Sequence, residues 1–394
     1  MDSQYTPTYH RMWNRDFTLL VVAELLFCAS CYMTVPLLPH RLAPAGGDTE
    51  LWATLSIVLF VAGICLSGLF GSWLIQRYRR NKVFLVSAIA LSISILGLSL
   101  FDVHRAELPG NVEYYAPLAV SFLCGALFGN GKRVLSCTLL IDKTESCHRT
   151  DANYTAIWIA RLSAVAGPAI TIALHDSART TTFYIASAAA SFISAILVMC
   201  VKFPFRAPEE GVHILSFDRF FLPQGWNVSL VIATMTAALG IMLATRFDID
   251  FCLSIMAGFA VAGLIMQYPS IRKARFTSAV GNACSILAVL AMSAHDDALD
   301  GTLKPMLIGI GIAITSSEQF YKLLDHSNHC QRSTVESTYF LSSDGGLFLG
   351  LAAGWTFGGN YVSAQHTALV LLAVATLLCC ANALVKKKRK EFRA

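Results

Sequence analysis

Twelve long apolar runs constrain this chain more than any other feature of its sequence. A helix needs about 20 mainly apolar residues to cross the hydrocarbon core of a bilayer, and runs of that order recur here with short polar stretches between them. The runs extend over residues 17–39, 51–75, 83–101, 114–140, 152–174, 181–201, 226–245, 251–266, 276–293, 305–324, 334–357 and 364–385. We therefore predict an all-α integral membrane protein with twelve transmembrane helices.

The composition supports a chain that lies almost wholly in a bilayer. Charged residues make up 14% of the 394 residues, whereas soluble globular chains carry about 25%. The twelve cysteines lie mostly inside the apolar runs, where cysteine packs as a small hydrophobe, and we interpret Cys28 and Cys31 in that way. The net charge of +5 is explained by Lys and Arg at helix ends, so we expect a lipid bilayer and no nucleic acid as partner.

A polar interval at residues 202–224 divides the runs into six and six. The halves resemble each other, because a basic cluster at 77–82 follows the second run and another at 272–275 follows the eighth. We predict an N-terminal six-helix bundle (1–201), a cytoplasmic linker (202–224) with a short surface helix at 217–222, and a C-terminal six-helix bundle with a basic cytoplasmic tail (225–394). Two such bundles around a central cavity are typical of secondary transporters.

The distribution of basic residues predicts the orientation of the chain. If both termini are cytoplasmic, most of the 30 Lys and Arg residues fall on the cytoplasmic side, as the positive-inside rule requires. We therefore predict a multi-pass protein of the inner (plasma) membrane with both termini in the cytoplasm.

The loop after the second run carries the most specific motif. Residues 71–82 read Gly-Ser-Trp-Leu-Ile-Gln-Arg-Tyr-Arg-Arg-Asn-Lys, which resembles the loop of the major facilitator superfamily: Gly, three residues, Asp, a basic residue, one residue, Gly and two basic residues. Aligned on either end, this chain has no acidic residue at the Asp position. The resemblance implies a gating loop with Arg77, Arg79 and Arg80, and it covers essentially the whole chain.

Two further motifs are similar to drug-exporter-like members of that superfamily. The fifth run contains Gly167-Pro168, and the eleventh contains Asp344-Gly345. The flanking glycines of the exporter signature are absent, and so is the arginine that exporters carry near position 121. The resemblance implies proton-coupled transport of a small molecule and favours export over import.

Charged residues inside the apolar runs are the best pointers to a site, because each costs a few kcal/mol to insert. Glu24, Arg133 and Arg161 fall at similar depths in runs one, four and five, so we expect Glu24 to pair with one of the arginines. Trp158 lies one turn from Arg161 and suits an organic solute. The pair could instead only hold helices together. Lys132 could extend its ammonium to the interface.

The second half contributes three acidic residues. Glu318 lies one turn before Lys322, which could neutralise it. Asp344 lies near the membrane midplane without a local cation, whereas Glu336 falls closer to the cytoplasm and is expected at the interface. A buried carboxyl without a cation is suited to take up a proton. We therefore predict Asp344 as the proton-coupling residue, with Glu318 as a further candidate.

The sequence favours a monomeric secondary active transporter that moves a small organic solute by alternating access, with proton-coupled export as the first hypothesis. A proton-coupled nutrient importer, or a sensor or assembly factor that kept the fold without transport, are the alternatives. The chain lacks a phosphate-binding Gly-x-x-x-x-Gly-Lys-[Ser/Thr] motif and a His-Glu-x-x-His motif. We therefore expect no enzyme activity, no cofactor and no metal.

Overall fold

Helices make up nearly all of the described structure. The computed structural model describes residues 12–36, 48–104, 107, 109–145, 148–177, 181–204, 209, 211–217, 219–267, 277–294, 302–328 and 331–391. Within these residues the long helices are α1 (Arg15–Thr34), α2 (Thr49–Arg77), α3 (Arg80–His104), α4 (Gly110–Val134), α5 (Arg149–Ser177), α6 (Thr182–Met199), α7 (Trp226–Thr245), α8 (Ile249–Ile265), α9 (Thr277–Ala294), α10 (Leu303–Asp325), α11 (Arg332–Trp355) and α12 (Tyr361–Glu391). A π-helical turn, Leu135–Leu140, continues α4.

Three of the helices begin at a side-chain cap. The Asn14 carboxamide oxygen accepts from the backbone N–H of Phe17 at 2.9 Å, and the carboxylates of Asp48 and Asp248 cap α2 and α8 in the same way. The first N–H groups of a helix have no partner within the helix, so such a residue stabilises the start by about 1 kcal/mol.

Eight of the described helices are long and apolar enough to cross a membrane, namely α1 to α7 and α12. Helices α8 and α9 are apolar but shorter. Helices α10 and α11 are long enough but carry many polar residues, and most of these are buried, including the consecutive run from Thr315 to Gln319. Polar side chains in a membrane protein face its interior, so the two polar helices mark the centre of the molecule. The expectation of twelve crossings stays a prediction.

The helix contacts of the second half repeat those of the first. Helix α1 packs on α5 and α6, α2 on α4, and α3 on α4 and α6. Adding six to every number gives the contacts of α7 with α11 and α12, α8 with α10, and α9 with α10 and α12, all of which are present. Between the halves, α2 packs on α11 and α5 on α8, which follow the same rule. This pattern is the one expected of a duplicated six-helix unit.

Glycines permit the closest helix contacts in both halves. A Cβ atom on Gly125 would overlap the carbonyl of Phe60, so α4 and α2 meet backbone to backbone. Gly309 of α10 stands in the same relation to the Ile255 carbonyl of α8. Small residues permit such close approach of membrane helices, and the contact in the first half has a counterpart in the second.

The segment before α7 is partly buried, because Phe220 and Leu222 pack against the helices. The carbonyl of Phe220 accepts from the Ser337 hydroxyl at 3.0 Å, and the Leu222 N–H donates to Thr338 at 2.8 Å. The Phe220 ring is buried against Gly68 of α2. The predicted helix at 217–222 is reduced to a turn in its described residues, where Arg219 has a φ of 59°. The basic cluster at 272–275 lies outside the described residues.

Candidate functional site

A buried ion pair joins the two halves at the centre of the molecule. The ammonium of Lys132, on α4, lies 2.5 Å from Oδ2 of Asp344, on α11, and both side chains are almost fully buried. The Tyr32 hydroxyl of α1 donates to Oδ1 of the same carboxylate at 2.6 Å. Two expectations are therefore wrong: Asp344 does have a cation, and Lys132 does not extend to the interface.

Aromatic rings enclose this ion pair. The Lys132 ammonium lies 4.4 Å from the ring centre of Phe340 and 5.5 Å from that of Phe128. The Tyr32 ring stacks on Phe348 of α11 at 5.4 Å. The rings exclude water and favour the cation through their faces, so the charges of the pair interact in a medium of low polarity.

Glu24 lies near this pair but has a different partner from the one expected. It is fully buried, its Oε1 accepts from the Ser136 hydroxyl at 2.6 Å, and its Oε2 has no hydrogen-bond partner. Among the described ion pairs, none joins Glu24 to Arg133 or Arg161. The charges of Lys132 and Asp344 both act on Glu24.

Glu336 is buried as well, contrary to its expected place at the membrane interface. Its exposed fraction is 0%, and neither carboxylate oxygen has a nitrogen or oxygen partner among the described residues. The thiol of Cys137 lies beside it, and Glu24 is close enough to interact with it electrostatically. The centre thus contains three acidic side chains (Glu24, Glu336 and Asp344) with Lys132 as their basic neighbour.

Arg161 bridges the halves at a second point. Its Nε and Nη2 donate to the Tyr339 hydroxyl of α11 at 3.0 and 2.7 Å, and its Nη1 donates to the Ser317 hydroxyl of α10 at 2.6 Å. The guanidinium carbon lies 4.7 Å from the Trp158 ring centre, as the spacing of these two residues predicts. No ion pair of Arg161 with an acidic residue occurs within the described ranges.

Arg133 faces the segment before α7. Its Nη2 donates to the Ser67 hydroxyl at 2.6 Å, and its guanidinium carbon lies 5.4 Å from the Phe220 ring centre. The side chain therefore joins α4 to α2 and to Phe220 and does not share a contact with Glu24.

Glu318 of α10 accepts hydrogen bonds from the first turn of α9. The predicted pair with Lys322 is confirmed, with the ammonium 2.8 Å from Oε1. Oε2 accepts from the backbone N–H and the hydroxyl of Ser278 in the first turn of α9. A carboxylate at this point supplies an acceptor for an otherwise unpaired N–H and complements the helix dipole, which gives Glu318 a structural task.

The basic loop between α2 and α3 forms an ion pair with an acidic residue that follows α4. Arg77 ends α2, Arg79 follows, and Arg80 begins α3. Nη1 of Arg80 lies 2.9 and 2.6 Å from the two oxygens of Asp142, which follows α4. The loop motif lacks its own acidic residue, and Asp142 provides the counter-charge for Arg80.

A small cavity lies beside Arg161, between the two halves. It has a volume of about 20 Å³, which is room for a single water molecule. Arg161, Tyr32 and Tyr339 are among its lining residues, which come from α1, α5, α7, α8, α10 and α11 and so from both halves. At that volume the cavity does not hold an organic solute, and we call this conformation closed. No cluster of three or more His, Cys, Asp and Glu that could hold a metal occurs in the described part of the chain.

The fold matches solved transporter structures at low sequence identity. The chain has a TM-score of 0.63 to an MFS transporter, FucP, in the outward conformation, with 14% identity over 94% of this chain and 99% of that one. A bacterial homologue of the iron transporter ferroportin in the outward-facing state gives a TM-score of 0.65 with 14% identity, over 93% of this chain and 99% of that one. The human organic anion transporter MFSD10 gives a TM-score of 0.63 with 13% identity, over 93% of this chain and 100% of that one.

Comparison with curated protein sequences gives no match. The family model described as Major Facilitator Superfamily matches residues 20–351, which is most of the chain. The protein is thus a multi-pass membrane transporter and not an enzyme, and it belongs to the major facilitator superfamily.

Proposed function

We propose that this protein is a secondary active transporter that exports a small organic solute by alternating access in exchange for protons. It works as a monomer in the inner membrane with both termini in the cytoplasm. The observation that carries the proposal is the pair of buried polar contacts between the halves, Lys132 with Asp344 and Arg161 with Tyr339.

These contacts suit a site that opens alternately to the two sides. Alternating access is mainly a rocking of one six-helix half against the other around a fixed midplane site. A contact between polar side chains can be replaced by a contact with water or solute when the halves separate, whereas a continuous apolar interface offers no such exchange. A cavity of about 20 Å³ is too small for an organic solute, so the halves must separate before solute binds.

The proton-carrying role fits Glu24 and Glu336 better than Asp344. Lys132 already balances the charge of Asp344, whereas neither Glu24 nor Glu336 has a basic partner within ion-pair distance in the described residues. A buried carboxylate without counter-charge is costly, and a bound proton removes that charge. Movement of the halves that admits water to these groups allows the proton to leave on one side and enter on the other.

Flux through the reconstituted protein tests the proposal. The purified chain is placed in proteoliposomes with a trapped pH-sensitive dye, and compounds of several classes are added under an imposed pH gradient. We expect solute-dependent proton movement in the antiport direction, absent from empty liposomes. Movement of proton and solute in the same direction would indicate an importer. A chain that moves no compound, while its deletion alters a cellular response, would indicate a sensor or assembly factor.

A further inference from the structure

The central cavity contains a buried guanidinium whose partners are all neutral. Arg161 donates to the Tyr339 and Ser317 hydroxyls and, at 3.3 Å, to the Ala313 carbonyl. A guanidinium has five N–H groups, and its four hydrogen bonds to described residues leave one N–H for a ligand. Neutral acceptors satisfy hydrogen bonds, and the Trp158 ring centre lies 4.7 Å from the guanidinium carbon, but no carboxylate among the described residues balances the positive charge.

The other charged groups near the centre do not supply that compensation. Asp344 forms an ion pair with Lys132 and accepts a hydrogen bond from the Tyr32 hydroxyl. Glu24 bonds to Ser136, and Glu336 lies by Cys137. None of these carboxylates pairs with Arg161 in the described residues, and Arg161 is the charged residue among those that line the cavity, so the lining itself carries one positive charge.

The lining of the cavity adds donors and an apolar surface to this charge. Tyr32, Thr236, Ser316 and Ser343 are among its lining residues. The first three hydroxyls donate to protein acceptors in this conformation, and a hydroxyl that rotates away from its acceptor can donate to an anion. Apolar side chains, including Phe259, complete the wall. A planar guanidinium binds a carboxylate, phosphonate or sulfonate through two parallel hydrogen bonds, and apolar walls bind a carbon skeleton.

We infer that the solute is a small organic anion whose acidic group binds Arg161 when the halves separate. This inference rests on the proposed transport function and names the substrate class of that same site. Arg133 offers the matched comparison, since it is a second buried guanidinium with neutral described partners, but it contacts Phe220 and is not among the residues that line the cavity.

Binding without a gradient tests the inference independently of transport. The purified full-length protein is heated with benzoate, benzamide or benzylamine, and with phosphonate and sulfonate analogues, which share a ring and differ in charge. We expect the anions to raise the melting temperature more than the neutral and cationic compounds. Arg161→Gln should weaken anion binding roughly tenfold or more, because a charge-assisted bidentate contact is lost. Arg133→Gln should leave the preference for anions unchanged.

Tyr339→Phe keeps the test informative if Arg161→Gln does not fold. It removes a neutral acceptor and keeps the guanidinium, so anion binding should be retained or strengthened. The inference is overturned if benzamide or benzylamine stabilises as well as the best anion, if no anion exceeds its neutral partner, or if Arg161→Gln binds anions like the parent. Anion binding without any flux in proteoliposomes would instead contradict the transport function and leave the anion site standing.

Discussion

The ammonium of Lys132 lies 2.5 Å from the carboxylate of Asp344, 212 residues further along the chain. The contact joins α4 in the first half to α11 in the second, and it is enclosed by rings from both. A buried ion pair of this kind stabilises the closed conformation only while both partners are present, because removal of one leaves the other charged and unpaired.

The first prediction concerns this pair. Asp344→Asn and Lys132→Met should each destabilise the closed protein by about 3–5 kcal/mol, because each leaves an uncompensated buried charge. The double variant should recover much of that loss. Melting temperatures of the four proteins in detergent measure the effect. Single losses that simply add in the double variant would show that the two side chains are not coupled in the folded protein.

The second prediction separates proton coupling from structure. Glu24→Gln and Glu336→Gln should abolish solute movement driven by a pH gradient, since an amide cannot carry a proton, while exchange of solute at equal pH continues. Glu318→Gln is the control, because Glu318 is bound to Lys322 and to the start of α9. It should lower the melting temperature and keep the coupling. Loss of coupling in Glu318→Gln alone would transfer the role to that residue.

The third prediction concerns the close glycine contacts that occur at equivalent places within each half. Gly125→Ala and Gly309→Ala should each destabilise by about 1–3 kcal/mol through overpacking, because the new methyl group meets a backbone carbonyl. Gly97→Ala is the matched control: it lies in α3, its Cβ would have no atom within 4 Å, and alanine favours a helix by up to about 1 kcal/mol. Equal melting temperatures for all three variants would contradict the close helix contact.

The fourth prediction concerns the Phe220 ring. Phe220→Ala removes the ring that covers Arg133 and Gly68, so the adjacent ends of α2, α4 and α11 should separate more readily. We expect faster maleimide labelling of the buried Cys137 in a variant whose other cysteines are replaced. Phe217→Ala is the control, since that ring is 68% exposed. Equal labelling rates in the two variants would show that Phe220 does not restrict access.

The fifth prediction is the orientation in the membrane. Reporter fusions should place residues 77–82 and 272–275 in the cytoplasm and residues 295–304 on the opposite side, because basic residues are retained on the cytoplasmic side. If the reporter at 295–304 is found in the cytoplasm, the predicted topology is wrong: either its orientation is reversed or the chain crosses the membrane fewer than twelve times.

The sequence by itself determined the features that depend on neighbouring residues. The apolar runs predict where helices lie, and the helices of the structure coincide with them to within a few residues at most ends. The pair Glu318–Lys322 and the contact of Trp158 with Arg161 follow from one-turn spacing. Gly125 lies where α4 meets the backbone of α2, and a glycine is the local feature that permits this contact, because only a residue without a side chain admits a second backbone so closely.

Only the tertiary structure decided which charges meet. Glu24 bonds to Ser136 and not to an arginine, Asp344 has Lys132 as its cation, and Glu336 is buried at the centre. Depth along each helix places these groups at comparable levels, but it leaves open the rotation of each helix about its axis and its lateral neighbours. Those are fixed by the packing of twelve helices against one another, through contacts between residues more than a hundred positions apart, and no local pattern of residues encodes them.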